Sequence, residues 1–124
     1  MIEFINVTKK FGDFTAVEDI SFKVEPSSIY GLIGYNGAGK TTLLKTAAGI
    51  YKSDEGTVLM DGVDTFDNDT VRREMFYIPD DLYFPMNATI KSMAKFYADY
   101  YPNFSMKTLT HFVSKYLIIL IFLL

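Results

Sequence analysis

Ile29-Tyr30-Gly31-Leu32-Ile33-Gly34-Tyr35-Asn36-Gly37-Ala38-Gly39-Lys40-Thr41-Thr42 is the stretch on which the reading of this chain turns. Its first five residues are short and apolar throughout, which predicts a strand buried on both faces. From Gly34 to Thr41 the residues fit the spacing G-x-x-x-x-G-K-[ST], and a helical pattern follows. Gly34, Gly37 and Gly39 free the backbone to turn tightly and to approach a ligand. The amides along Gly34, Tyr35, Asn36, Gly37, Ala38 and Gly39 then face inward as an anion nest. The helix that follows adds its positive end and its unpaired amides. Lys40 supplies a mobile cation for the β and γ phosphates, Thr41 a hydroxyl for Mg²⁺, and Thr42 a contact on the α-phosphate side. The competing reading is a chance glycine turn. At average residue usage such a coincidence arises roughly once in several hundred chains of this length. The strand before and the helix after make it rarer still.

Outward from that loop, strands lie on the N-terminal side. Ile2, Phe4, Ile5 and Val7 begin a short strand ending near Thr8. Between Phe14 and Glu25, Ile20, Phe22 and Val24 alternate with Ser21, Lys23 and Glu25, the period of a strand with one buried face. Glu25-Pro26-Ser27-Ser28 is a turn. On the C-terminal side, Leu43, Leu44, Ala47 and Ala48 recur at helical spacing and Gly49 stops the helix. Thr57 to Met60 reads as a strand closed by Asp61-Gly62, Asp69 to Glu74 as a short helix, and Met75 to Ile78 as a strand that breaks at Pro79. Thr89 to Tyr101 is helical, with Ile90, Met93, Ala94 and Tyr97 on one face and Pro102 after its end. Ser105 to Tyr116 is a serine-capped helix with Leu109, Phe112, Val113 and Tyr116 on one face. The class is α/β.

With these elements in place, the chain resembles the ATP-binding subunits of ABC transporters. Ile2 to Gly12 is similar to that family's first strand and aromatic loop, and Phe14 to Phe22 to its second strand pair. Gly34 to Thr42, with two threonines after the lysine, matches its Walker A form. Asp54 to Gly62 resembles the strand and turn after the first helix. The resemblance covers about residues 1–115. It implies a P-loop NTPase fold of the ABC ATPase type, truncated, with an N-terminal antiparallel β subdomain: residues 1–116 as a partial ATP-binding domain and 117–124 as an atypical hydrophobic tail. It also implies ATP and Mg²⁺ as ligands. Transmembrane permease subunits and a second ATP-binding subunit would be partners, at the cytoplasmic face of a membrane. Phe11 stands where the family stacks an aromatic on adenine. The alternative for it is an ordinary core phenylalanine.

One position departs from the family. After Tyr77-Ile78-Pro79 a glutamine is usual, and here Asp80 and Asp81 follow. A carboxylate suits Mg²⁺, which prefers oxygen ligands. A solvated acidic turn is the alternative. Val58-Leu59-Met60-Asp61 imitates a Walker B strand, but Gly62 follows where a catalytic glutamate would stand, so it reads as a strand ending in a turn. His111 reads as a plain helix residue. No Leu-Ser-Gly-Gly-Gln pentapeptide and no Walker B strand ending in Asp-Glu occurs in the sequence. A non-catalytic nucleotide-binding fragment or pseudo-ATPase is therefore the second reading. A kinase or GTPase is a third, disfavoured by the absence of a basic lid and of Asn-Lys-x-Asp. The apolar run Leu117 to Leu124 fits a truncated or frame-shifted reading of a longer gene, a membrane-touching tail, or a helix end packed on the core. At less than half of the roughly 20 residues needed, it does not span a bilayer.

Composition bounds the rest. Across 124 residues, Lys+Arg 12 stand against Asp+Glu 15, a net charge of −3, and Cys is 0. A non-specific nucleic-acid partner needs a cationic surface that this balance does not supply. Disulfide frameworks and thiolate metal sites are excluded. Met1 to Phe4 carries no basic export signal. If the Ile29–Ile33 strand lacks the neighbour that a Walker B strand would provide, it becomes an exposed apolar edge and the chain is marginally stable or needs a partner.

Overall fold

The computed structural model describes residues 1–80 and 84–122. They form two compact units, Met1–Ile78 and Pro79–Leu124.

In the first unit, β1 (Ile2–Phe11) and β2 (Phe14–Val24) form a long antiparallel hairpin. β1 runs three residues past the expected end at Thr8, because Lys9, Lys10 and Phe11 keep partners in Val17, Thr15 and Phe14. The register shifts between Phe4 and Val7, where Asn6 and, opposite, Asp19 take positive φ values of 48° and 46°. Asn6 Nδ2 donates to Asp19 Oδ1 at 2.9 Å and ties the two irregular residues together. These bulges aim Phe4 and Val7 inward from non-alternating positions. β3 (Glu55–Met60) pairs antiparallel with β1, and β4 (Val63–Asp64) pairs with β3, giving the order β2-β1-β3-β4. Asp61 and Gly62 between β3 and β4 have φ of 48° and 83°, both positive, as a two-residue type I′ hairpin requires. The Walker B imitation is thus a strand closed by a tight turn, as its Gly62 indicates.

Gly56 makes the β1–β3 pairing possible. Its φ is +69°, and a Cβ there would lie 2.1 Å from the Ile5 carbonyl oxygen and 2.3 Å from that of Asn6. The bulge in β1 therefore has space only for a residue without a side chain.

α1 (Lys40–Ala47) packs on one face of the sheet. Phe4, Val7, Val17, Leu43, Ala47 and Val58 form one core cluster, with Val7 fully buried. Phe22 stacks on Phe4 at 4.3 Å between ring centroids. Past α1, Gly49 takes φ +67° and stops the helix, with the Ile50 amide reaching back to the Lys45 carbonyl. α2 (Asp69–Arg72) is capped by Asn68, whose Oδ1 accepts from the Thr70 and Val71 amides. Arg72 sends its guanidinium to the Gly49 carbonyl at 3.2 Å, so α2 also closes the C-terminal end of α1.

Two expected strands are not formed. Ile29–Ile33 has irregular backbone with no ladder partner, and Ile29 and Ile33 are 102% and 96% exposed. A strand needs a neighbour to satisfy its amides and carbonyls, and no described segment pairs with this one. Met75–Ile78 is irregular for the same reason, with Phe76 and Ile78 exposed.

The second unit holds α3 (Ile90–Tyr100) and α4 (Met106–Phe122). Thr89 and Ser92 form a capping box at the start of α3, and Ser105 Oγ accepts the Thr108 amide at the start of α4. Met93, Ala94 and Tyr97 face inward, whereas Ile90 and Phe112, expected on buried faces, are about half exposed. With Phe84, Ile90 lines an open apolar groove of about 300 Å³ beside Met93 and Leu109, which explains its exposure. α4 continues to Phe122 rather than stopping at Tyr116. Asp81 and the last two residues of the apolar tail lie outside the described residues. No helix is long and apolar enough to cross a membrane among the described residues.

Candidate functional site

The phosphate loop is built where β2 meets α1. Gly39 is the N-cap residue of α1, with φ +81°, and its side-chain-free Cα presses on β2: a Cβ would lie 2.1 Å from the Ala16 carbonyl oxygen. This contact fixes where the helix begins. No side chain caps the helix and no acid lies in its first turn. The first intrahelical bond runs from the Leu43 amide to the Gly39 carbonyl at 2.8 Å. The amides of Lys40, Thr41 and Thr42 precede it and have no helical acceptor. The helix end therefore offers N–H donors and a positive dipole to an anion, with no carboxylate competing.

Ahead of the helix, the Ala38 amide bonds to the Tyr35 carbonyl at 3.2 Å, closing a turn over Asn36 and Gly37. Gly37 has φ +88°. A Cβ on Gly34 would come within 3.2 Å of the Ala38 Cβ, across the throat of this loop. Lys40 folds back over it, with Nζ donating to the Gly34 carbonyl at 2.6 Å and to the Tyr35 carbonyl at 2.8 Å. An ammonium has three donors, so one remains for a phosphate oxygen. Thr41 is exposed and its hydroxyl accessible, while Thr42 is half-buried and its carbonyl accepts from the Thr46 hydroxyl at 2.9 Å. The loop thus brings all nine residues from Gly34 to Thr42 together, and its donor set suits a polyphosphate with a magnesium ion.

Phe11 sits at the hairpin tip, paired with Phe14 and 44% exposed, so it is not a core residue. Ala16, on which Gly39 rests, lies two residues along β2 from Phe14, about 7 Å at strand rise. Around Phe11 stand residues that the sequence did not single out. Tyr51 meets its ring at 5.5 Å and 77°, and the Lys9 ammonium lies 5.4 Å from its centroid. Asp54 anchors Lys9 at 3.0 Å and accepts the Lys10 amide at 2.6 Å. That backbone donor, followed by the Lys9 ammonium, holds the Asp54 carboxyl below its usual range. Tyr51 follows the helix stop by two residues and carries no periodic or motif signal; only the fold places it. Asp80 is exposed and belongs to the second unit.

Residues 17–116 match the family model described as ABC transporter. The chain belongs to the ABC transporter family. It is 31% identical over 116 residues to the ABC transporter ATP-binding protein YtrB of Bacillus subtilis (strain 168), covering 94% of this chain and 40% of that protein. Among solved structures, an ATP-binding subunit of an ABC transporter superposes with a TM-score of 0.76 at 27% identity, covering 86% of this chain and 44% of that one. A dimeric ATP-binding cassette bound to ADP and Pi, named MJ0796, matches at a TM-score of 0.52 and 29% identity, over 59% of this chain and 35% of its own. The chain thus spans less than half the length of these ABC relatives. Its architecture is the N-terminal portion of the P-loop NTPase fold of ABC ATPases, with the antiparallel β subdomain that the sequence implies.

Proposed function

We propose that this chain binds ATP with Mg²⁺ as part of the ATP-binding subunit of an ABC transporter. The observation that carries the proposal is the uncapped N-terminus of α1, pinned on Ala16, with Lys40 folded over the loop before it. Lys40 and the amides from Gly34 to Thr42 hold the phosphates. Thr41 offers its hydroxyl to the metal, and Asp80, by its place where the family has a glutamine, is a candidate oxygen donor to Mg²⁺. Phe11 stacks on the adenine, a contact worth about 1–3 kcal/mol by analogy with base–aromatic stacking elsewhere. In the whole protein, ATP hydrolysis is coupled to transport through permease subunits and a second ATP-binding subunit, at the cytoplasmic face of a membrane. The family match supports that assignment, and the dimeric cassette bound to ADP and Pi supports pairing.

The test is competition. A fluorescent ATP analogue is bound to the folded chain with Mg²⁺ and displaced by ATP or by inorganic tripolyphosphate. Displacement by both is expected, with ATP the stronger competitor. Failure of the analogue to bind would remove the proposal. Binding that Asp80→Ala leaves equally dependent on Mg²⁺ would remove Asp80 from the metal site alone.

A further inference from the structure

Four side chains from three segments converge at the tip of the first hairpin. Phe11 and Lys9 come from β1, Lys45 from the last turn of α1, and Tyr51 from the segment after it. The Phe11 and Tyr51 rings stand nearly perpendicular, 77° apart, with centroids at 5.5 Å. Each ring has its own cation: Lys9 Nζ at 5.4 Å from Phe11 and Lys45 Nζ at 5.5 Å from Tyr51. Lys9 is immobilised in turn by Asp54 at 3.0 Å. A lone aromatic ring at a hairpin tip is free to change rotamer, and ordering it on binding weakens a ligand. Here edge contact and cation–π attraction hold the ring beforehand.

We infer that Tyr51 is a positioning residue of the base site. It fixes the Phe11 ring in the orientation that a purine stacks on, and through Lys45 it ties that ring to the helix whose other end carries the phosphate loop. The inference rests on the reading of Phe11 as the base-stacking residue. Tyr51 acts on the base through Phe11, and it leaves the phosphates untouched.

The experiment is a double-mutant cycle on the full chain. Phe11→Ala, Tyr51→Ala and the double variant are titrated with Mg-ATP and with magnesium tripolyphosphate, alongside Tyr51→Phe. Tyr51→Ala is expected to weaken ATP about three- to tenfold, the range set by an aromatic pair, and to leave tripolyphosphate unchanged. Tyr51→Phe keeps the ring and retains ATP affinity. In the Phe11→Ala background, Tyr51→Ala causes no further loss, as two groups acting through one contact require. Additive losses, or an equal loss for tripolyphosphate, would overturn the inference. Tyr51→Leu, which keeps the bulk without the ring, is to show the same selective loss should the alanine variant not fold. If Phe11→Ala itself spares ATP, the inference falls together with base stacking, while tripolyphosphate binding still reports on the phosphate loop.

Discussion

Val58-Leu59-Met60 and Ile29-Tyr30-Gly31-Leu32-Ile33 are both short apolar runs bounded by turn residues, yet they end in opposite states. The first lies in β3 with β1 on one side and β4 on the other, and Val58 is 3% exposed. The second has no strand beside it among the described residues, and Ile33 is 96% exposed. The difference teaches that an apolar run specifies a strand only together with its partner. β3 finds β1 because Gly56 lets the two backbones close at the bulge. No described segment does the same for residues 29–33.

The contrast can be broken most forcefully at Gly56. Gly56→Ala puts a Cβ against two carbonyl oxygens at positive φ, and a loss of at least about 3 kcal/mol of unfolding free energy is expected in urea titration. A loss below about 1 kcal/mol would mean that the β1–β3 closure is not what the glycine secures. Next in size is Val58→Ala, with about 2 kcal/mol from two lost methyl groups and the cavity they leave. A smaller effect is expected at Asp54. Its carboxyl is held below its ordinary value of 3.8 by the Lys10 amide and then by Lys9. A lowered folded-state pKa contributes stability that is present above the unfolded value and lost as pH falls through the folded one. The urea midpoint of the native chain should therefore drop as pH falls below about 4, and Asp54→Asn should flatten that part of the profile. An unchanged slope would show that the ion pair does not discriminate folded from unfolded chain. The smallest effect belongs to Ile33→Ser, which should shift stability by no more than about 0.5 kcal/mol, as at any exposed position. A loss comparable to that of Val58→Ala would reveal a hidden partner for that segment and erase the contrast.

Much of this was legible in the residues, and the rest was not for identifiable reasons. The Asp61-Gly62 turn, the Gly49 helix stop and the Ser105 cap are local signals, and local signals suffice where the interaction spans a few residues. The phosphate loop belongs to the same class, since its geometry depends on glycines and a helix start within nine positions. Ile29–Ile33 and Met75–Ile78 misled because an apolar pattern carries no information on whether a partner strand stands beside it. Tyr51 and Lys9 were invisible because their meeting with Phe11 depends on how α1 lies on the hairpin. Gly56 stood just ahead of the strand read from Thr57 and carried no reading of its own, and its close approach to Ile5 and Asn6 emerges only from the bulged register.

The central claim is that the loop before α1 holds the phosphates of a magnesium nucleotide. Isothermal calorimetry of Mg-ATP into the folded chain tests it most directly, with Lys40→Ala as the comparison. A saturable heat is predicted for the native chain, with affinity falling at least about tenfold, or 1.4 kcal/mol, when the ammonium is removed. A folded native chain that releases no heat, or a Lys40→Ala variant that binds as tightly, would contradict the account.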